Sequence, residues 1–166
     1  TVEQVMAVNF TGAVACTKAA LPDLLARRGQ VVVLSSVAGF APLFGRCAYS
    51  ASKHALHGFF ETLRAEVADQ GVNVLIVCPS FIDSQREQPD AQSPYVGAAR
   101  PGSAKATVGE VTSPEAAARA IIDAAVARRR QLLVGRVAKQ SHWLRRLRPS
   151  LYDSLMVRRA RREVAP

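Results

Sequence analysis

Ser36, Tyr49 and Lys53 are the residues whose types and spacing could do chemistry. A hydroxyl follows the apolar run Val31-Val32-Val33-Leu34-Ser35, a phenol stands thirteen positions on, and an amine lies four beyond that. The chemistry would be proton transfer at a substrate oxygen. In a helix, residues four apart share a face, so the ammonium of Lys53 would sit beside the phenol of Tyr49 and favour its anion electrostatically. A phenol helped in this way can act as an acid or base nearer neutral pH. A Tyr-x3-Lys pair alone is a weak signal, because such pairs arise by chance and usually mark a solvated helix face.

Asn9, in Val8-Asn9-Phe10-Thr11-Gly12, precedes the other three. The order Asn, Ser, Tyr, Lys, with this spacing, resembles the catalytic tetrad of the short-chain dehydrogenase/reductase superfamily. The resemblance implies an α/β fold: a partial doubly wound, Rossmann-type parallel sheet with flanking helices. It also implies an NAD(P)-dependent oxidoreductase that interconverts an alcohol and a carbonyl by hydride transfer. Tyr49 would be the general acid/base and Ser36 would hydrogen-bond the same substrate oxygen. Lys53 would assist Tyr49 and bond the nicotinamide ribose, and Asn9 would hold a water that links Lys53 to solvent. Read without the resemblance, Asn9 is a core asparagine with satisfied partners. The family commonly has Pro-Gly and then a threonine at the next cofactor-binding segment, where this chain reads Pro79-Ser80-Phe81-Ile82-Asp83-Ser84. By resemblance Pro79, Ser80, Ile82 and Ser84 join Tyr49 and Lys53 in cofactor binding, with Ile82 supplying backbone groups and Ser84 a hydroxyl. Ser80 in place of glycine would be strained if that backbone needs a positive φ.

The superfamily seats the pyrophosphate on a glycine-rich turn at a helix N-terminus. None of the ten glycines forms such a cluster. The chain therefore reads as the C-terminal part of a longer enzyme or as a truncated gene product. A different class of reading is a non-catalytic remnant acting through helix-mediated or basic-tail association. The cofactor is NAD or NADP, and the residues that choose between them lie before this chain.

The elements that must position these groups follow from periodicity. Val2, Val5, Met6, Ala13, Val14, Ala20, Leu21 and Leu24 recur at three- and four-residue steps, predicting a helix over residues 2–25. Gln30 to Ser35 reads as a central parallel strand covered on both faces, delivering Ser36 to its C-terminal end. Gly39, Pro42 and Gly45 mark a loop, then a helix runs over 48–68. A strand over 72–78 ends at Pro79. Residues 85–112, polar and without a period, read by resemblance as the substrate lid, and they do not identify the substrate. Ser113 caps a helix with Pro114 in its first turn, and a third strand covers 131–135. Residues 1–136 would form the Rossmann-type portion and 137–166 a basic amphipathic helical extension.

Charge sets that extension apart. Residues 124–166 hold twelve Lys/Arg against two Asp/Glu, whereas residues 1–123 hold ten against eleven. Across 139–162, Trp143, Leu144, Leu147, Leu151, Leu155 and Met156 fall at helical steps among arginines, with Pro149 separating two short helices. Two readings fit: a helix lying on an anionic membrane, or one packed on protein with a solvated arginine face. A nucleic-acid partner is disfavoured, because little aromatic character accompanies the basic run. Cys16, Cys47 and Cys78 give no disulfide framework and read as buried reduced thiols. His54, His57 and His142 show no metal spacing, so no metal is expected. No apolar stretch reads as long enough to cross a bilayer. These features point to a cytoplasmic protein, possible membrane contact being peripheral through 139–162. The small-molecule partner would be an alcohol or carbonyl, and by resemblance the parent would be a homo-oligomer through helices 2–25 and 48–68.

Overall fold

A computed structural model describes residues 1–43, 45–83 and 111–164. The first helix, α1, spans Val2–Ala26. Thr1 opens it with a capping box, in which its hydroxyl accepts from the Gln4 backbone while the Gln4 side chain accepts from the Thr1 amine. Between two α-helical stretches, Val2–Met6 and Gly12–Ala26, residues Ala7–Thr11 form a π turn. By length and composition α1 could cross a membrane, contrary to the sequence expectation that no segment could. Its apolar composition also serves the interior: Phe10, Ala13, Leu21, Leu24 and Leu25 pack against the core.

Three strands follow as a parallel sheet in the order β1 (Gln30–Leu34), β2 (Asn73–Pro79) and β3 (Gln131–Val134). Val31 pairs with Val74 and Val77 with Leu132. Parallel strands need crossovers. The first is made by α2 (Cys47–Glu66) and the second ends in α3 (Pro114–Val126). Ser113 caps α3 through its hydroxyl, with Pro114 in the first turn, as its sequence predicts.

Alternation along β2 sends Val74, Ile76 and Cys78 to one side, against Leu56, Phe60 and Leu63 of α2, and sends Leu75 and Val77 to the other, against Ala117 and Ala124 of α3. This two-sided burial explains the unbroken apolar run. β1 departs from the expectation of a strand covered on both faces. Val33 is buried on the α2 side, but Val32 and Leu34 are 41% and 58% exposed. α3 packs on β2 and β3, leaving that face of β1 open, and β1 is also the sheet's edge.

Two further helices, α4 (Arg136–Leu147) and α5 (Pro149–Val164), form a hairpin at Pro149. Ala138 and Tyr152 are buried, and the His142 ring meets Phe40 edge-to-face at 5.1 Å, so α4 is seated on the body and α5 packs on α4. Cys78 is buried, but Cys16 and Cys47 are exposed, correcting the expectation that all three are interior. Both lie on helices at positions open to solvent.

Candidate functional site

β1 ends at Leu34, and Ser36 caps the short 3₁₀ turn Val37–Gly39 that follows. Its backbone is extended, and its Oγ accepts from the Ala38 N–H at 3.2 Å. A hydroxyl has one hydrogen to give and two lone pairs, so this cap uses an acceptor site and leaves the O–H available to another oxygen. Ser35, the neighbour that sequence alternation turned away from chemistry, is buried, and its Oγ has no hydrogen-bond partner among the described residues.

α2 places Tyr49 in its first turn and Lys53 one turn later. The Lys53 Nζ stands 5.6 Å from the centre of the Tyr49 ring, as the four-residue spacing requires. The same Nζ donates to the Leu34 carbonyl at 2.9 Å, tying α2 to the last residue of β1, two positions before Ser36. The lysine therefore links the serine and tyrosine elements. Burial lowers the Lys53 ammonium from its ordinary range, and two of its three hydrogens remain for other acceptors. Tyr49 is half-buried as a residue, and its hydroxyl makes no hydrogen bond to a described residue.

Asn9 lies at the centre of the π turn, a distortion that is frequent at functional sites. Its Nδ2 donates to Ser52 Oγ at 3.0 Å, and Ser52 in turn donates to the Tyr49 carbonyl at 2.8 Å. Asn9 is thus joined to the tyrosine's helix through Ser52, a residue the sequence reading passed over. Ser52 is fully buried between Tyr49 and Lys53 in sequence. Its small polar side chain at that position was the available signal.

Pro79 closes β2 opposite Val134. Ser80 follows without a positive φ, so the strain considered for a serine there does not arise. Its N–H and its Oγ both donate to the Val134 carbonyl, at 3.0 and 3.1 Å, leaving the hydroxyl only acceptor capacity toward anything else. Gly135, at φ +87°, lies against Ser80 Oγ so closely that a Cβ would collide with it. Ile82 forms a parallel bridge with Thr112, which bonds the Phe81 carbonyl at 2.9 Å and the Asp83 N–H at 2.9 Å. In extended chain the flanking groups point to one side and Ile82's own N–H and C=O to the other, so that pair is uncommitted among the described residues. A primary carboxamide needs one donor and one acceptor side by side, which Ile82 offers. Ser84, and the lid segment 85–112 except for its last two residues, lie outside the described residues.

Behind the site, His57 on α2 lies 3.5 Å from Cys78 Sγ through Nε2 and 3.4 Å from Glu61 through Nδ1. Among the described residues no group of three or more His, Cys, Asp or Glu could hold a metal ion. A cleft of about 300 Å³ runs between α1 and β1, lined by Asn9, Cys16, Thr17, Val31, Val33 and Phe60 among others. It meets the site at Asn9 and at Leu34, whose carbonyl holds Lys53.

A family profile described as short chain dehydrogenase matches residues 1–94. A dehydrogenase/reductase SDR family protein 7-like from Drosophila melanogaster is 39% identical over 163 residues, covering 95% of this chain and 48% of that protein. Dehydrogenase/reductase SDR family member 7B of Xenopus laevis is 39% identical over 160 residues, covering 95% and 49%. The chain spans about half the length of the curated relatives it matches. A short-chain dehydrogenase from Streptomyces avermitilis superposes with a TM-score of 0.72 at 30% identity, covering 95% of this chain and 61% of that one. A short chain dehydrogenase from Burkholderia cenocepacia, solved in complex with NADP, superposes with a TM-score of 0.76 at 21% identity, covering 94% and 59%.

Proposed function

From the premise that this chain belongs to the short-chain dehydrogenase family, we propose that it carries the proton-transfer and nicotinamide-facing half of an NAD(P)-dependent oxidoreductase acting on an alcohol or carbonyl. The observation that carries this reading is the Lys53 ammonium, held by the Leu34 carbonyl at the end of β1 and poised over the Tyr49 ring. A nicotinamide cofactor, when bound, supplies or takes the hydride.

The chain's own residues do the rest. Tyr49 gives its proton to, or takes one from, the substrate oxygen. Ser36 donates its one hydroxyl hydrogen to the same oxygen, holding it against the phenol and stabilising charge that develops there. The Lys53 positive charge stabilises the tyrosinate, and its other hydrogens are available to ribose hydroxyls. Ile82 would hold the carboxamide through its backbone pair, and Asn9 and Ser52 fix the position of the Tyr49 turn. Ser84 is proposed to add a hydroxyl from the adjoining segment. Pairing of α1 and α2 with a second subunit belongs to the same reading, supported by the exposed apolar Val8 and the small residues along α1.

The test is Tyr49→Phe in the complete protein, which keeps the ring and removes the proton. Turnover of carbonyl substrates with NADPH or NADH should fall by about 10² to 10⁴. Near-normal turnover would overturn the assignment.

A further inference from the structure

The α4–α5 hairpin has two differently built sides. Its inner side is covered: Ala138 and Tyr152 are buried, and His142 lies on Phe40 of the body. Its outer side keeps large apolar groups in water. Trp143 and Leu147 are four apart on α4, 58% and 68% exposed, and Leu151 and Leu155 repeat that spacing on α5. Single exposed apolar residues need no explanation, but a spaced pair on each of two joined helices marks an interaction surface. The inner side is already packed, so among the described residues these four face solvent.

Charge identifies the occupant. Arg145 is neutralised across the hairpin by Asp153 at 3.1 Å, whereas Arg146, Arg148 and Arg158 are exposed beside the apolar pairs. The segment around them has twelve basic residues and two acidic ones. A second copy of the hairpin would meet this surface with repulsion. A polyanion such as nucleic acid would satisfy the arginines but gains little from leucines. A bilayer bearing anionic headgroups satisfies both, taking the leucines and the indole into the acyl boundary while the guanidinium groups stay among phosphates.

We propose that the α4–α5 hairpin docks the protein on an anionic lipid surface, with Trp143, Leu147, Leu151 and Leu155 entering the headgroup boundary. Trp143 is the chain's single tryptophan and so reports on its own insertion. With phosphatidylcholine vesicles containing phosphatidylserine, its emission should move to shorter wavelength and the protein should sediment with the vesicles. High salt should reverse both, and pure phosphatidylcholine should produce neither. Replacing Arg146, Arg148 and Arg158 by glutamine should weaken partitioning about fivefold each, roughly a hundredfold together. Leu147→Gln with Leu151→Gln should also weaken it while leaving far-UV circular dichroism unchanged, since both positions are exposed. The idea fails if Trp143 emission is unmoved by anionic vesicles, or if pure phosphatidylcholine binds equally, as it would through α1. It fails equally if a single-stranded oligonucleotide at the same charge concentration gives the same shift.

Discussion

The side-chain amide of Asn9 donates to the hydroxyl of Ser52 at 3.0 Å, joining positions 43 residues apart on two different helices. Each needs the other, because a buried polar group without a partner costs free energy. Asn9→Ala and Ser52→Ala should each destabilise by about 1–3 kcal/mol. In a denaturant double-mutant cycle they should show a coupling of about 1 kcal/mol. Strict additivity would mean that the bond does not hold the helices together.

Ser35 leads to the opposite sign. Its Oγ is buried with no partner among the described residues, so Ser35→Ala removes an unsatisfied group and should leave stability unchanged or slightly raised. Gly39→Ala should destabilise, because the new methyl would lie 2.5 Å from Ser35 Oγ and 2.7 Å from the His57 ring. Combining the two substitutions should recover part of the loss, read as the urea midpoint.

The pH dependence of folding should carry the signature of His57. Burial lowers its pKa from the ordinary value; Glu61 opposes the shift, while His54 and Arg64 reinforce it, and Cys78 and Phe40 complete its surroundings. Because the folded-state value is the lower one, the unfolded chain takes up the proton first as pH falls. Above about 6.5 both states are neutral and the group contributes nothing, and below that value stability is lost until the folded form also protonates. His57→Gln should therefore flatten the decline in melting temperature between about pH 7 and 5. An unchanged slope would assign the acid sensitivity elsewhere.

Thiol reactivity should divide two to one. Cys16 and Cys47 are exposed, whereas burial, partly offset by a hydrogen bond from Gln131 and reinforced by Glu61, pushes the Cys78 thiol up to about 12. Native protein treated with iodoacetamide should take two labels readily and the third only on unfolding, as counted by mass. Fast modification of Cys78 would show that the β2 end opens in the native state.

The sequence made the placement of Ser36, Tyr49 and Lys53 legible for a physical reason: the four-residue helical step puts Tyr49 and Lys53 on one face, and a parallel strand delivers Ser36 to its end. It also revealed the two-sided burial of β2, since an unbroken apolar run allows little else. It could not reveal that Val32 and Leu34 are open, because coverage depends on which helices lie opposite and not on the strand's own residues. The Lys53 bond to the Leu34 carbonyl was equally invisible, since a backbone oxygen leaves no mark in the alphabet of side chains. Asn9 was found as a residue but not as a geometry. Nothing in Ala7–Thr11 distinguishes a π turn from an α turn until α2 packs beside it.

That π turn amounts to one residue inserted into an otherwise regular helix. Deleting a single residue within Ala7–Thr11 would let α1 close as uninterrupted α-helix, so length variation of one is tolerable there as far as the helix is concerned. Because the wide turn already absorbs the extra residue, the segments before and after it would keep nearly the same facing. The deletion would remove the bulge that carries Asn9 to Ser52, although composition, helicity and hydropathy would barely change. In comparing relatives, a gap of one in this helix therefore carries more functional weight than many substitutions around it.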